Sequence, residues 1–553
     1  MPRPQRPPRL PLLLLCASTL TLLASAQQQQ QQQQQQQDAL LRGAVRPSGG
    51  AGERYRSNAE LEVWARSFGG DGSRCPGLGS AWTFGRSSQG EPLWALDVTD
   101  PSSNSSAKPV VKLLGNTHGD EPAGREIVAS LAEWLCERWA RKDDVQATSL
   151  LRDARLLLVP TLNPDGFEKH RRGNAAGADL NRDFPDPWLD GDGDGVAQAR
   201  AQAHYRVRRA GGRTKGRQPE TVAAMSLAQH APCVAAIAYH EGAVVANYAW
   251  DGHPSGDRRH GSYSRCPDDD TQRMLASAYA RTHPSMSASA QFKGGITNGA
   301  AWYPLYGGNQ DWEYINTGCM FITVEANEQK WPKEQRLPAL IADHRGATLA
   351  LARAALGGVT GVVVDAATGE RVAGARVTVL GREKSSTPAK GPSGEFFRTL
   401  LPGTYVLRAS APGYADGTQT VTVPRAADGG EPSVAGVRLE LVALGGGGQQ
   451  QQQVQQQQQQ AEEQQQVQQQ QQAEQQQKVQ PMALASEEAS WSASALAAQI
   501  ETEVSDAEHW VEVEAHRYSA SLLPAGVVVM VALLAVVAAA RRRRRARLSA
   551  GRR

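Results

Sequence analysis

Cysteine is scarce in this chain, six in 553 residues, and that scarcity excludes a small scaffold held together by disulfides. Cys16 falls in a segment expected to be removed, which leaves Cys75, Cys136, Cys233, Cys266 and Cys319. Five is odd, so at least one thiol stays free or pairs between chains, and the residues alone do not say which. Without cross-links to rely on, the fold must rest on a large apolar core, although aromatic residues make up only 6% of the chain. Charge of one sign is also missing. The 59 Lys and Arg against 56 Asp and Glu leave a net +3 that mainly reflects a C-terminal arginine cluster. Nothing in that balance points to a nucleic-acid partner, and none is expected.

The two ends of the chain read as targeting and tethering segments. Residues 1–26 carry Arg3, Arg6 and Arg9, an apolar Leu10 to Leu23 region and Ala24-Ser25-Ala26, the pattern of a secretory signal peptide. Residues 27–52 open with eleven glutamines, too polar to offset chain entropy by burial, and are expected to be disordered. Residues 444–480 are a Gln-rich linker and 481–520 an acidic, Ala/Ser-rich stalk. Residues 521–540 are expected to form a transmembrane helix. Nineteen of them, Leu522 to Ala540, carry no charge and would span the ~30 Å hydrocarbon layer. Arg541 to Arg545 and Arg547 follow in a basic tail, 541–553, placed in the cytosol by the positive-inside rule. The expectation is a single-pass type I membrane protein of the secretory pathway (Golgi) or cell surface, with its bulk lumenal or extracellular. Asn104-Ser105-Ser106, in a Ser-rich turn, is a glycosylation acceptor.

Between these ends lie two domains. In residues 53–356, short apolar runs at Val110 to Leu114, Ala154 to Pro160, Val234 to Tyr239 and Met320 to Val324 predict buried strands. They alternate with helical patterns at Glu126 to Arg138 and Pro219 to Gln229, which predicts an α/β fold with helices on both faces of one sheet. Residues 358–443 change character. Val359 to Asp365, Ala375 to Leu380, Glu395 to Leu400, Gly403 to Ala409, Gln419 to Val423 and Val434 to Leu441 are β-rich runs broken by Gly, Pro and Asp, as in a small β-sandwich.

Chemistry first shows in the turn after Val110 to Leu114, which holds His118-x-x-Glu121. Imidazole nitrogen and carboxylate oxygen both suit zinc, and a turn can aim both at one ion while a third ligand arrives from elsewhere. The pair alone is weak, since eleven histidines make a chance match unsurprising and His509-x-x-Glu512 is a second one. That second pair lies in a polar segment with no strand before it and reads as a solvated helix face.

Further segments carry polar residues where strands end: Leu162-Asn163-Pro164-Asp165-Gly166-Phe167, Arg172 through Asn181-Arg182-Asp183-Phe184-Pro185, and Tyr239-His240-Glu241-Gly242. Asn247 to Asp251, Tyr303 through Gln310-Asp311, and Phe321 to Glu325 complete the set. Taken singly, each residue has a plainer reading as a core histidine, a solvated acid or an ion-pair partner. Together, their order and spacing resemble the carboxypeptidase E/N/D/M group of zinc metallocarboxypeptidases from about Arg54 to Ala443, most closely a carboxypeptidase D reduced to one catalytic repeat.

The resemblance implies the mixed sheet of the metallocarboxypeptidase fold, followed by a transthyretin-like β-sandwich with Gly403-Thr-Tyr-Val-Leu and Ala411-Pro-Gly-Tyr414 as its marks. It implies one Zn2+ held by His118, Glu121 and His240, with Glu325 as general base and Arg172 stabilising the oxyanion. Asn181 and Arg182 would hold the substrate's terminal carboxylate, Tyr303 would close over it, and Asp251 and Gln310 would line a pocket for C-terminal Arg or Lys. The implied partners are peptide or protein C-termini ending in Arg or Lys. A catalytically silent binding or adhesion protein on the same fold is the alternative, opposed by the joint retention of His118, Glu121, His240 and Glu325. A cytosolic deglutamylase-like relative is opposed by the signal peptide, the β-sandwich and Asp251. The chain departs from the group's pattern at Asp120, at Glu325-Ala-Asn and at Glu241, an added carboxylate beside a metal ligand that is expected to affect the pocket or its pH profile. Residues 186–217 look expanded, with Asp190 to Gly195 and a solvated arginine set that includes Arg206, Arg208, Arg209, Arg213 and Arg217.

Overall fold

Val110 to Leu114 shows why the central strands carry no polar alternation: both of its faces are covered. Val111 and Leu113 pack with Ile127, Val128, Leu131 and Leu135, whereas Val110 and Leu114 pack with Ala224, Leu227 and Phe321. The computed structural model describes residues 54–444, apart from 69–72, 74, 103–107, 187–215, 254–260, 392 and 426–432. The signal segment, the glutamine tracts, the stalk with His509, the Leu522 to Ala540 run, the basic tail, Asn104 and the Asp190 to Gly195 loop lie outside the described residues. Among the described residues, no helix is long and apolar enough to cross a membrane.

The first domain is built on eight strands: β1 (Gly79–Arg86), β2 (Pro92–Val98), β3 (Val110–Leu114), β4 (Arg155–Val159), β5 (Ala235–His240), β6 (Ala243–Tyr248), β7 (Ile296–Asn298) and β8 (Met320–Asn327). Their order is β1-β2-β4-β3-β5-β8-β6-β7. β4, β3, β5 and β8 run parallel through the middle, and antiparallel pairings join β1 to β2, β2 to β4, and β8 to β6. This is the expected mixed sheet. Helices α1 (Asn58–Arg66), α2 (Ala123–Arg141), α3 (Val145–Asp153), α4 (Pro219–His230), α5 (Asp269–Thr282), α6 (Asn309–Thr317) and α7 (Leu337–Ala354) flank it. α1, α2, α3, α5 and α7 share one core, and α4 with Trp312 of α6 forms the other.

The turn after β3 passes so close to the short helical turn Pro164–Glu168 that a Cβ on Gly119 would stand 2.0 Å from the carbonyl carbon of Gly166. Only glycine fits such an approach of two backbones. The cysteine question is also resolved by the fold. Cys75 pairs with Cys136, Cys233 pairs with Cys319 across the starts of β5 and β8, and Cys266 is a buried thiol.

The second domain is the predicted sandwich of two four-stranded sheets. β11 (Ser386–Pro388), β10 (Arg376–Val379), β13 (Gly403–Ser410) and β15 (Gly417–Val423) make one. β12 (Glu395–Thr399), β9 (Gly358–Asp365), β16 (Ser433–Ala443) and β14 (Tyr414–Ala415) make the other. It joins the first domain through Asp268, which accepts from Arg398 at 2.5 Å, Arg382 at 2.9 Å and the Tyr314 hydroxyl at 2.6 Å. Burial raises the Asp268 pKa, but the two guanidinium groups outweigh it and leave the carboxyl below its ordinary value.

Because Asp268 and Arg398 are both buried, Asp268→Asn leaves a desolvated cation without its anion. The expected cost is about 3–5 kcal/mol, read as a lower denaturant midpoint of the full chain. A loss below about 1 kcal/mol would show that the domain junction does not depend on this pair.

Candidate active site

Three strand ends converge on one point. β5 and β8 pair in parallel with His240 opposite Glu325, and the turn leaving β3 brings His118 and Glu121 beside them. That turn is held by Asn116, whose Nδ2 donates to the His118 carbonyl at 2.7 Å and whose Oδ1 accepts from the Thr161 hydroxyl at 2.8 Å. Glu121 Oε2 lies 2.8 Å from His118 Nδ1 and 2.9 Å from His240 Nδ1, and the two imidazole nitrogens are 3.1 Å apart. All three side chains are buried, and their ligand atoms lie within 4.8 Å of one another. A single cation satisfies two imidazole lone pairs and a carboxylate at once, and this donor set fits Zn2+.

Burial alone would push the Glu121 carboxyl up, but His118 and His240 outweigh it and hold it well below the usual range. Its other oxygen, Oε1, faces Lys330 Nζ at 3.0 Å and Arg172 Nη1 at 3.3 Å. Asp179 then links two predicted residues, with Oδ1 3.1 Å from His118 Nε2 and Oδ2 accepting from Arg172 Nε at 2.8 Å. A carboxylate on the far nitrogen of a metal-binding histidine fixes its tautomer and ring angle. Asp179 was not among the predicted residues. It lies two positions before Asn181, and only the path of the chain shows that it faces His118.

Glu325 is buried, and its Oε2 has no hydrogen-bond partner among the described residues. Burial pushes its carboxyl up to about 7, with His240 opposing the shift and Glu121 adding to it. A cavity of about 220 Å³ opens over these groups, lined also by Arg172, Asn181, Arg182, Tyr303 and Asp251. Arg182 donates to the Asn181 carbonyl at 2.9 Å, Asn181 Oδ1 accepts from the Asn309 amide at 3.0 Å, and Tyr303 stands at the rim, 38% exposed. A larger hollow of about 370 Å³ beside Trp82 and Trp94 holds none of the predicted residues.

Asp251 is a further buried acid of this cavity, beside Glu121, Glu241 and Glu325. Its Oδ1 accepts from Asn247 Nδ2 at 3.0 Å and Gln310 Nε2 at 2.9 Å, and a Cβ on Gly299 would intrude to 1.9 Å from that oxygen. Burial raises its carboxyl to about 6, against the Asn247 hydrogen bond and the charge of Arg182.

Two expectations need correction. Gln310 does not line the cavity: it sits behind Asp251, and its carbonyl oxygen accepts from the Thr323 amide at 3.1 Å and hydroxyl at 2.8 Å. The first turn of α6 directs it toward β8. Glu241 does line the cavity, and its carboxylate is engaged by the main-chain amides of Ala123 and Trp331 at 2.5 and 2.9 Å, because a buried acid at a helix N-terminus finds donors there. Arg217 is half-buried and donates to the Asp183 carbonyl, so it is not a solvated loop residue.

A buried two-His, one-Glu set beside a carboxylate with an unpartnered oxygen is the equipment of a zinc hydrolase. Residues 72–346 match the zinc carboxypeptidase family model, and residues 358–440 match the carboxypeptidase regulatory-like domain. Carboxypeptidase SOL1 of Arabidopsis thaliana is 37% identical over 369 residues, 66% of this chain and 69% of that protein. Carboxypeptidase E of Caenorhabditis elegans is 34% identical over 411 residues, 67% of this chain and 83% of the relative. Carboxypeptidase D of Mus musculus is 32% identical over 383 residues, 66% of this chain but 26% of that longer protein. The chain belongs to the zinc carboxypeptidase family and is a metallocarboxypeptidase.

Asp179→Ala should raise the zinc dissociation constant about 10- to 100-fold, the usual effect of losing a partner that orients a ligand. Competition with a chromophoric chelator reads this directly, and an unchanged affinity would remove Asp179 from the metal site.

Proposed function

We propose that this enzyme releases C-terminal Arg or Lys from peptides and proteins, in the secretory lumen or at the cell surface, anchored by the Leu522 to Ala540 span. The observation that carries the substrate class is Asp251, a carboxylate buried in the cavity that holds the metal ligands. A desolvated anion there suits a cationic side chain and penalises an apolar one. The location rests on the signal-like Met1 to Ala26 segment and the charge-free run before Arg541 to Arg545.

Zinc, when bound by His118, Glu121 and His240, supplies a Lewis acid that polarises the scissile carbonyl and acidifies water. Glu325 takes the proton from the attacking water and passes it to the departing amine, and a carboxyl near neutrality suits both steps. The Arg172 guanidinium, fixed by Asp179, faces the oxyanion as charge develops, an effect on the order of 3 kcal/mol for a preorganised donor. Arg182 and Asn181 hold the terminal carboxylate, which limits cleavage to the last residue because an internal peptide bond has no such anion. Tyr303, exposed at the rim, closes over it. Gln310 acts through Asp251, holding the carboxylate that meets the substrate cation.

The first test is hydrolysis of matched peptides ending in Arg, Lys, Phe and Glu by the full chain, with and without a zinc chelator. Equal rates on Phe and Arg would overturn the substrate class.

Glu325→Gln should keep zinc and melting temperature near the parent's and lose nearly all turnover, because an amide cannot accept the water's proton. Normal turnover would exclude Glu325 as the base.

Asp251→Ala should lower kcat/KM for Arg- and Lys-ending peptides by roughly a hundredfold to several-thousandfold, the equivalent of losing about 3–5 kcal/mol from a buried pair. Activity on Phe-ending peptides should be spared. The parent should also lose Arg preference in acid. Asp251 titrates near 6 and only its ionised form pairs with a cation, so the ratio of kcat/KM for Arg over Phe should fall as pH drops below about 6. Taking the ratio removes the titration of Glu325, which both substrates share.

A further inference from the structure

Glu241 has no part in the chemistry above, yet its contacts reach Glu121 itself, the start of α2 and the Lys330-Trp331 segment. Its main-chain amide points at Glu121 Oε2 at 3.3 Å. Its side-chain Oε1 accepts from the amide of Ala123, two residues past Glu121, at 2.5 Å. Oε2 accepts from the amide of Trp331 at 2.9 Å. Next to Trp331 is Lys330, whose Nζ returns to Glu121 Oε1 at 3.0 Å. The path is closed: Glu121 to Ala123 along the chain, across to Glu241, across to Trp331, back through Lys330 to Glu121.

The Trp331 limb is firmly placed. Its indole stacks on His170 with ring centroids 4.0 Å apart and on Phe167 at 5.2 Å, and Tyr55 packs at 5.5 Å. The Tyr55 hydroxyl also donates to the Pro332 carbonyl at 2.7 Å. A carboxylate is the side chain that can serve both amides, since each oxygen accepts and neither donates. Glutamine of the same length would accept one amide and turn an N–H toward the other.

From this ring, and from the assignment of Glu121 as a zinc ligand, we propose that Glu241 is a positioning residue that sets the Glu121 carboxylate for zinc by tying the start of α2 to the Lys330-Trp331 segment. Its loss should loosen Glu121 and weaken zinc retention rather than alter the substrate pocket. The full chain carrying Glu241→Ala is stripped of metal, and its zinc affinity is measured by competition with a chromophoric chelator well below its melting temperature. The dissociation constant should rise about tenfold or more, the lower bound for losing a group that orients a ligand. Turnover should recover at saturating zinc with KM unchanged, which a fold defect would not allow. Glu241→Gln, which keeps volume and one acceptor, should show a smaller rise and carries the same test if the alanine variant does not fold. A zinc dissociation constant within about twofold of the parent in whichever variant folds, with or without a lower melting temperature, would overturn the proposal. Glu121→Gln, expected to lose zinc, is the control. Retained zinc there would overturn the ligand assignment itself, separately from the role of Glu241.

Discussion

A carboxylate at 2% exposure sets the terms for the rest of this active site. Glu121 is buried at the turn after a fully covered strand, and an anion in that position costs several kcal/mol unless cations or donors surround it. His118 and His240 meet one oxygen while Lys330 and Arg172 meet the other. Each arrives on a different segment, so the β3 turn, the end of β5, the loop after β8 and the Arg172 segment must all be in register before the charge is satisfied. A single metal ion completes what the side chains begin. This dependence explains why ligands far apart in the chain act as one unit.

Shared supports also link the cavity to the β-sandwich. α6 carries Gln310 and Asp311 in its first turn, where they hold the side chain of Asp251 and the amides of Asp251 and Gly252. Further along the same helix, the Tyr314 hydroxyl donates to Asp268, which also receives Arg382 and Arg398 from the second domain. One nine-residue helix thus spans from the support of Asp251 to the domain junction. Among the described residues the sandwich supplies no side chain to the cavity, yet it braces the element behind Asp251.

What could be read from residues alone follows from their strongest physical signals. Largely apolar runs without a clean polar alternation identify strands covered on both faces, and β3, β4, β5 and the first half of β8 are such runs. The edge strand β1 was not foreseen, because its mixed Gly-Ser-Ala-Trp-Thr-Phe-Gly-Arg pattern is half exposed and carries no clear period. β2 was also missed, although it is largely buried. His118 and Glu121 were legible as ligand types at a spacing within one turn, whereas His240, at the end of an apolar strand, was assigned only through the family resemblance.

By itself, then, the sequence determined the class of fold, the two-domain division and the His118-x-x-Glu121 pair, because these depend on burial and on neighbours a few residues apart, whereas His240 and Glu325 were joined to that pair only through the resemblance to a known family. Only the tertiary structure decided which cysteines pair, that Asp179 faces His118 across 61 residues, that Gln310 stands behind Asp251, and that Glu241 spends its carboxylate on two backbone amides. Those outcomes depend on where a side chain points once distant segments are packed. The direction of a side chain is set by the backbone that carries it and the atoms already occupying the space around it.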